Sequence, residues 1–80
     1  MGTVTYDPTE DILYVRLSDE SVADTVCLDD LRIIDYSVDG GVIGIEFIGA
    51  SGGVELRDIP FSHKVEELIR DHGLALPIYA

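Results

Sequence analysis

The stretch Tyr6-Asp7-Pro8-Thr9-Glu10-Asp11-Ile12-Leu13-Tyr14-Val15-Arg16-Leu17 decides the reading of the fold. It holds the end of one strand, an acidic turn built around a proline, and a complete second strand. A four-residue loop, Pro8 to Asp11, pairs Tyr6 with Leu13 and Val4 with Val15. Side chains alternate along a strand. The register therefore gathers Val4, Tyr6, Leu13, Val15 and Leu17 on one face, and Thr3, Thr5, Ile12, Tyr14 and Arg16 on the other.

Further strands follow at Val22 to Leu28, Leu31 to Tyr36 and Val42 to Ile48, with turn residues between them. Short strands punctuated in this way read as an antiparallel meander. The connections are too short for parallel crossovers. Asp39-Gly40 is the sharpest hairpin signal, because glycine accepts the positive φ of a type I′ turn. A two-residue loop there sets Tyr36 against Ile43, Ile34 against Ile45 and Arg32 against Phe47, on one face. Leu31, Ile33, Val42 and Ile48 then share the other face with Asp35 and Glu46. A bulge would shift this register by one residue. Neither face is cleanly polar, so each is expected to be covered in part.

Gly49 to Gly53 breaks the strand pattern and reads as a flexible joint. Val54 to Ile59 is an edge-strand candidate. Residues 61–72 read as a helix with Ser62 as N-cap, a Val65/Leu68/Ile69 stripe, and Gly73 as terminator. The apolar tail 74–80 is expected to pack on its own domain or on a second copy. The expected fold is α+β: an antiparallel β-meander of five to six strands with one C-terminal helix packed on a face. It forms a single domain, residues 1–80, with the meander in 1–50.

Sixteen acidic and five basic side chains give the 80-residue chain a net charge of −11. Such a surface repels phosphate backbones and anionic membranes, so neither is an expected partner. A basic protein is the electrostatically matched partner, although charge of this kind also keeps a small domain soluble. No apolar run approaches the ~18 residues of a membrane span, and no leader pattern opens the chain. A cytoplasmic location is expected. A chain this short buries only about 60% of its unfolded surface. Association is a common remedy, and a homodimer is expected through the second sheet face or the tail. The single cysteine, Cys27, excludes an intrachain disulfide framework. Its strand-like surroundings suggest a buried, inert thiol.

If alternate turns of a meander lie together, Asp7, Glu10 and Asp11 come near Asp29 and Asp30. Five carboxylates in one place are a candidate site for a hard cation. Asp7-x-Thr9-x-Asp11 resembles the start of a calcium loop. However, the sixth position is Ile12 rather than glycine and the twelfth is Ser18 rather than glutamate. A solvated acidic rim is the simpler reading. His63 and His72 are nine residues apart, about two and a half helical turns, and make poor co-ligands. No nucleophile–base pair or phosphate-cradling loop is visible, so neither catalysis nor a cofactor is expected. Tyrosines on a sheet that also carries Arg16 and Arg32 offer a binding face, since Tyr and Arg are enriched at interface hot spots.

Two ordered blocks carry a family resemblance. The first is Tyr6-Asp7-Pro8-x-x-Asp11-x-Leu13-Tyr14-Val15-Arg16-Leu17. The second is Ile33-Ile34-Asp35-Tyr36-x-x-Asp39-Gly40-x-Val42-x-Gly44-Ile45-Glu46. Over about Thr5 to Ala50 the chain resembles the domain of unknown function 2283 family. The resemblance implies a short, acidic, mostly β protein without an assigned activity, and it supplies no catalytic residue. An association of some members with small toxin-like neighbours points to an antitoxin-like role. The expected function is a non-catalytic protein-interaction module with Ile12, Tyr14 and Arg16 as its contact face. The alternative is a small cation-binding protein or enzyme using the acidic turns.

Overall fold

The computed structural model describes residues 2–79. Met1 and Ala80, the ends of the expected domain and tail, lie outside the described residues. The chain runs β1 (Thr3–Asp7), β2 (Ile12–Arg16), β3 (Asp24–Cys27), β4 (Arg32–Tyr36), β5 (Val42–Ile48), a 3-10 turn (Ala50–Gly52), β6 (Val54–Glu55), α1 (Ser62–His72) and β7 (Ile78–Tyr79). It is an α+β fold built on a five-stranded antiparallel sheet.

The strand order is β1-β2-β5-β4-β3 rather than sequential. Seven residues, Leu17 to Ala23, connect β2 to β3. They pass three strand spacings, roughly 14 Å, which seven residues span easily. That reach lets β5 insert between β2 and β4. Its Val-Ile-Gly-Ile-Glu-Phe-Ile sequence is the most apolar of the five, and the centre of the sheet is where such a strand loses most contact with water. The Asp-Thr-Val-Cys strand stays on the edge, exposed along its whole length.

The first hairpin has the expected register, with Val4 opposite Val15 and Tyr6 opposite Leu13. In the second, Arg32 faces Phe47 and Ile34 faces Ile45. A bulge then intervenes, and Tyr36 stands opposite Val42 instead of Ile43. Val42 therefore joins the residues packed against the core, on the face opposite its expected one.

One face of the sheet carries the core. Val4, Leu13, Val15, Ile34, Ile45 and Phe47 meet Val54, Leu56, Ile59, Val65 and Ile69 from the C-terminal third. The helix lies over β1 and β2. Its cap lies one residue earlier than expected. Phe61 occupies the N-cap position in a left-handed conformation (φ 55°), with no side-chain cap, so Ser62 is the first helical residue. Gly73 ends the helix at φ 81°, where glycine carries no Cβ penalty.

The expected edge strand over 54–59 shrinks to Val54–Glu55, which pairs in parallel with Ile78–Tyr79. The tail thus packs on its own domain, with Leu74, Leu76 and Ile78 against the core. Its sticky residues are used within the chain. Gly49 to Gly53 is an ordered 3-10 turn rather than a loose joint. Gly53 (φ 139°) lies against the Tyr79 ring, where any Cβ would collide.

Candidate functional site

The register defines three rows across the uncovered sheet face. One row is Asp7, Ile12, Ile48. The next is Thr5, Tyr14, Glu46, Ile33, Cys27. The third is Thr3, Arg16, Gly44, Asp35, Thr25. Ile12, Tyr14 and Arg16 therefore stand together on this open face, as the sequence indicates, and each is half-buried.

At the centre of the face Tyr14 lies flat over Gly44. A Cβ at Gly44 would strike the Tyr14 ring and hydroxyl, so only glycine lets the ring lie down. The hydroxyl crosses β5 and donates to Asp35 Oδ2 on β4 (2.8 Å). Thr25 Oγ1 on β3 donates to the other carboxylate oxygen (2.7 Å). Burial, and then the hydrogen bond to Asp35, push the Tyr14 phenol up to about 12. Tyr14 is therefore a proton holder at neutral pH and is not available as a base. Tyr14, Asp35 and Gly44 come from the two separate sequence blocks, and the network joins them across four strands.

Arg16 and Arg32 do not share a face. Arg32 opposes Phe47 on the core side and is buried. Its guanidinium pairs with Asp29 (2.8 Å) and donates to the carbonyls of Glu55 and Arg57. It pins the segment after β5 to the sheet and is unavailable to a partner. Tyr6 and Tyr36 also pack against the core side, which leaves Tyr14 and Arg16 as the tyrosine–arginine pair of the open face. Arg57, Lys64 and Arg70 pair with Glu55, Glu67 and Glu66. Among the described residues, Arg16 is the basic side chain without an ion pair. It reaches the Glu20 carbonyl, at 3.4 Å, and stands beside the Tyr14 hydroxyl, whose pKa its charge lowers.

The five acidic candidates do not converge. Both turns lie at the same end of the sheet, but β5 exits between them. Asp11 is spent on structure. Its carboxylate accepts from Ser51 N–H (2.9 Å), Ser51 Oγ (2.6 Å) and the Tyr6 hydroxyl (2.6 Å). The Ser51 and then the Tyr6 hydrogen bonds hold its carboxyl below the usual range, while accepting no ion pair. Asp7 closes its own turn by accepting from the amides of Thr9 and Glu10. Asp29 is held ionised by Arg32 and the Leu31 amide. Glu10 and Asp30 remain on the exposed rim. Among the described residues, no three His, Cys, Asp or Glu side chains are grouped to hold a metal ion. The shared-cation arrangement therefore fails, because each turn's carboxylate has a local donor closer than the opposite turn.

Cys27 is exposed on the open face, not buried. Nothing packs on the edge strand that carries it, a consequence of strand order that local sequence does not reveal. His63 and His72 are both exposed on α1.

The hairpin lock explains why the recognisable part of the chain ends where it does. The Asp11 carbonyl also accepts from the amides of Gly49 and Ala50, so the first turn and the residues after β5 form one structural unit. A family model, Protein of unknown function (DUF2283), matches residues 3–51, which spans that unit from β1 to Ser51. The chain belongs to this family. The DUF2283 region is thus the five-stranded sheet with its lock, and α1 and β7 lie outside the match. No curated protein matches, and no solved structure matches. No helix of the described residues is long and apolar enough to cross a membrane.

Proposed function

We propose that this DUF2283 protein is a non-catalytic protein-interaction module of the cytoplasm, with the open sheet face as its contact surface. The observation that carries this reading is the asymmetry of the sheet. The helix and the C-terminal segments all stack on one side, while Ile12, Tyr14, Arg16, Ile33 and Ile48 form an uncovered, half-buried platform. The flanking segment Asp19 to Leu31 is exposed throughout and carries Asp19, Glu20, Asp24, Asp29 and Asp30 without a basic residue. That edge draws a basic protein toward the platform by long-range attraction, which fits an antitoxin-like masking role.

The test uses the full chain as bait in extract of its native host, beside the variant I12D/I33D. Wild type is expected to retain a stoichiometric protein, second copies of the chain included. The variant, folded by circular dichroism, is expected to lose it by about tenfold or more. A wild-type bait that retains no stoichiometric protein removes the reading.

A further inference from the structure

We infer that the occupant of the open face is a second copy of this chain, joined about a two-fold axis by reciprocal Arg16–Glu46 ion pairs. The inference rests on the open face being an interface, and it names what fills it.

The argument is charge complementarity at two side chains. Arg16 lies opposite Gly44, and Glu46 lies opposite Tyr14, one row away on the neighbouring strand. Diagonal positions of this kind are about 7–8 Å apart. They form no ion pair with each other, nor with any other described residue. Asp35, by contrast, is occupied by Tyr14 and Thr25. The face thus offers one cation and one anion, side by side and neither in an ion pair. A two-fold axis passing between them sets each copy's Arg16 on the other's Glu46. Such a surface is self-complementary, as an isologous interface requires. A partner surface of one sign alone would match only one of Arg16 and Glu46. A copy of the chain carries both signs in register.

Ile12, Ile33 and Ile48 flank the charged pair and supply the apolar contact. Five strands about 4.8 Å apart, four to seven residues long, give a face of roughly 400 Å². That is about half the ~800 Å² each partner contributes to a standard interface. The predicted dimer is therefore weak and reversible, and sensitive to a single charge. At about 0.15 M salt the Debye length is ~8 Å, so repulsion between the two acidic bodies is screened while the interface pairs persist.

The experiment is light scattering at high-micromolar concentration. The wild type is expected at twice the 8.7 kDa monomer mass. R16E and E46R are each expected to raise Kd by about tenfold or more, because like charges then face each other. Mixing the two variants is expected to restore a dimer, since every cross-copy contact again pairs opposite charges. The double variant R16E/E46R is expected to dimerise alone. Single variants that dimerise like wild type overturn the proposal, as does failure of the mixture to recover. A monomeric wild type also overturns it, and the bait experiment then separates the two ideas. If I12D/I33D still loses a captured host protein, the face is an interface for another chain. If it retains everything, both ideas fall.

Discussion

The two faces of the sheet are built from the same strands and have different fates. Leu13 and Ile12 are adjacent, yet Leu13 is fully buried and Ile12 keeps part of its surface in water. Arg32 and Arg16 are both sheet arginines, yet one is buried with three polar partners and the other is half-buried with no ion pair. On the core face the Tyr6 hydroxyl and the Arg32 guanidinium are consumed by folding. On the open face Tyr14, Asp35 and Thr25 organise one another, while Arg16 and Glu46 carry no ion pair. The difference separates the side chains that folding consumes from those it leaves out of ion pairs.

The largest contrast lies in packing. Leu13→Ala is expected to cost about 4 kcal/mol, the loss of a fully buried side chain plus its cavity. Ile12→Ala next to it is expected to cost roughly 1 kcal/mol. Urea denaturation at low protein concentration measures both. Equal losses would mean that the open face is covered within the monomer and would break the comparison.

The arginines give the second contrast. Arg32→Ala is expected to cost about 3 kcal/mol, because the carbonyls of Glu55 and Arg57 lose their donor and Asp29 its partner. Arg16→Ala should change monomer stability by less than ~0.5 kcal/mol. A loss above that at Arg16 would place it among the structural residues.

Gly44→Ala comes next, at about 1–2 kcal/mol, since the Tyr14 ring must be displaced. Combining it with Tyr14→Ala should lose less than the sum, with a coupling of at least about 0.5 kcal/mol. Strict additivity would show that the ring does not lie on Gly44.

The smallest expected effects are in pH. The Tyr14 phenol is raised to about 12 in the folded state. Its contribution is therefore fully present below the unfolded value of ~10 and is lost as pH rises toward 12. Ultraviolet titration should show a late tyrosine that Tyr14→Phe removes. Asp11 and Asp29 are shifted in the opposite direction. Their contribution is present above ~3.9 and is lost as pH falls through their lowered folded values. Asp11→Asn should flatten that acid limb in a denaturation series. An unchanged limb would remove Asp11 from the lock.

The local sequence of this protein determined the five strands of its sheet, the register of the first hairpin and the inner half of the second, and the face of most of their residues. Those features depend on alternation and turn chemistry within a few residues, and Tyr6–Leu13 and Ile34–Ile45 pair as that chemistry requires. The helix end at Gly73 and the gathering of Ile12, Tyr14 and Arg16 belong to the same class. Strand order was decided only in three dimensions, because burial of the most apolar strand placed β5 beside β2. From that one choice follow the exposure of Cys27, the separation of the two acidic turns and the lock between Asp11 and Ser51, 40 residues away. The parallel pairing that drew in the tail likewise joins segments far apart in the chain. Each depends on contacts between segments distant in the chain, whose energies no local pattern records. The site belongs to both: sequence set Tyr14 and Arg16 on one face, and tertiary structure left that face open.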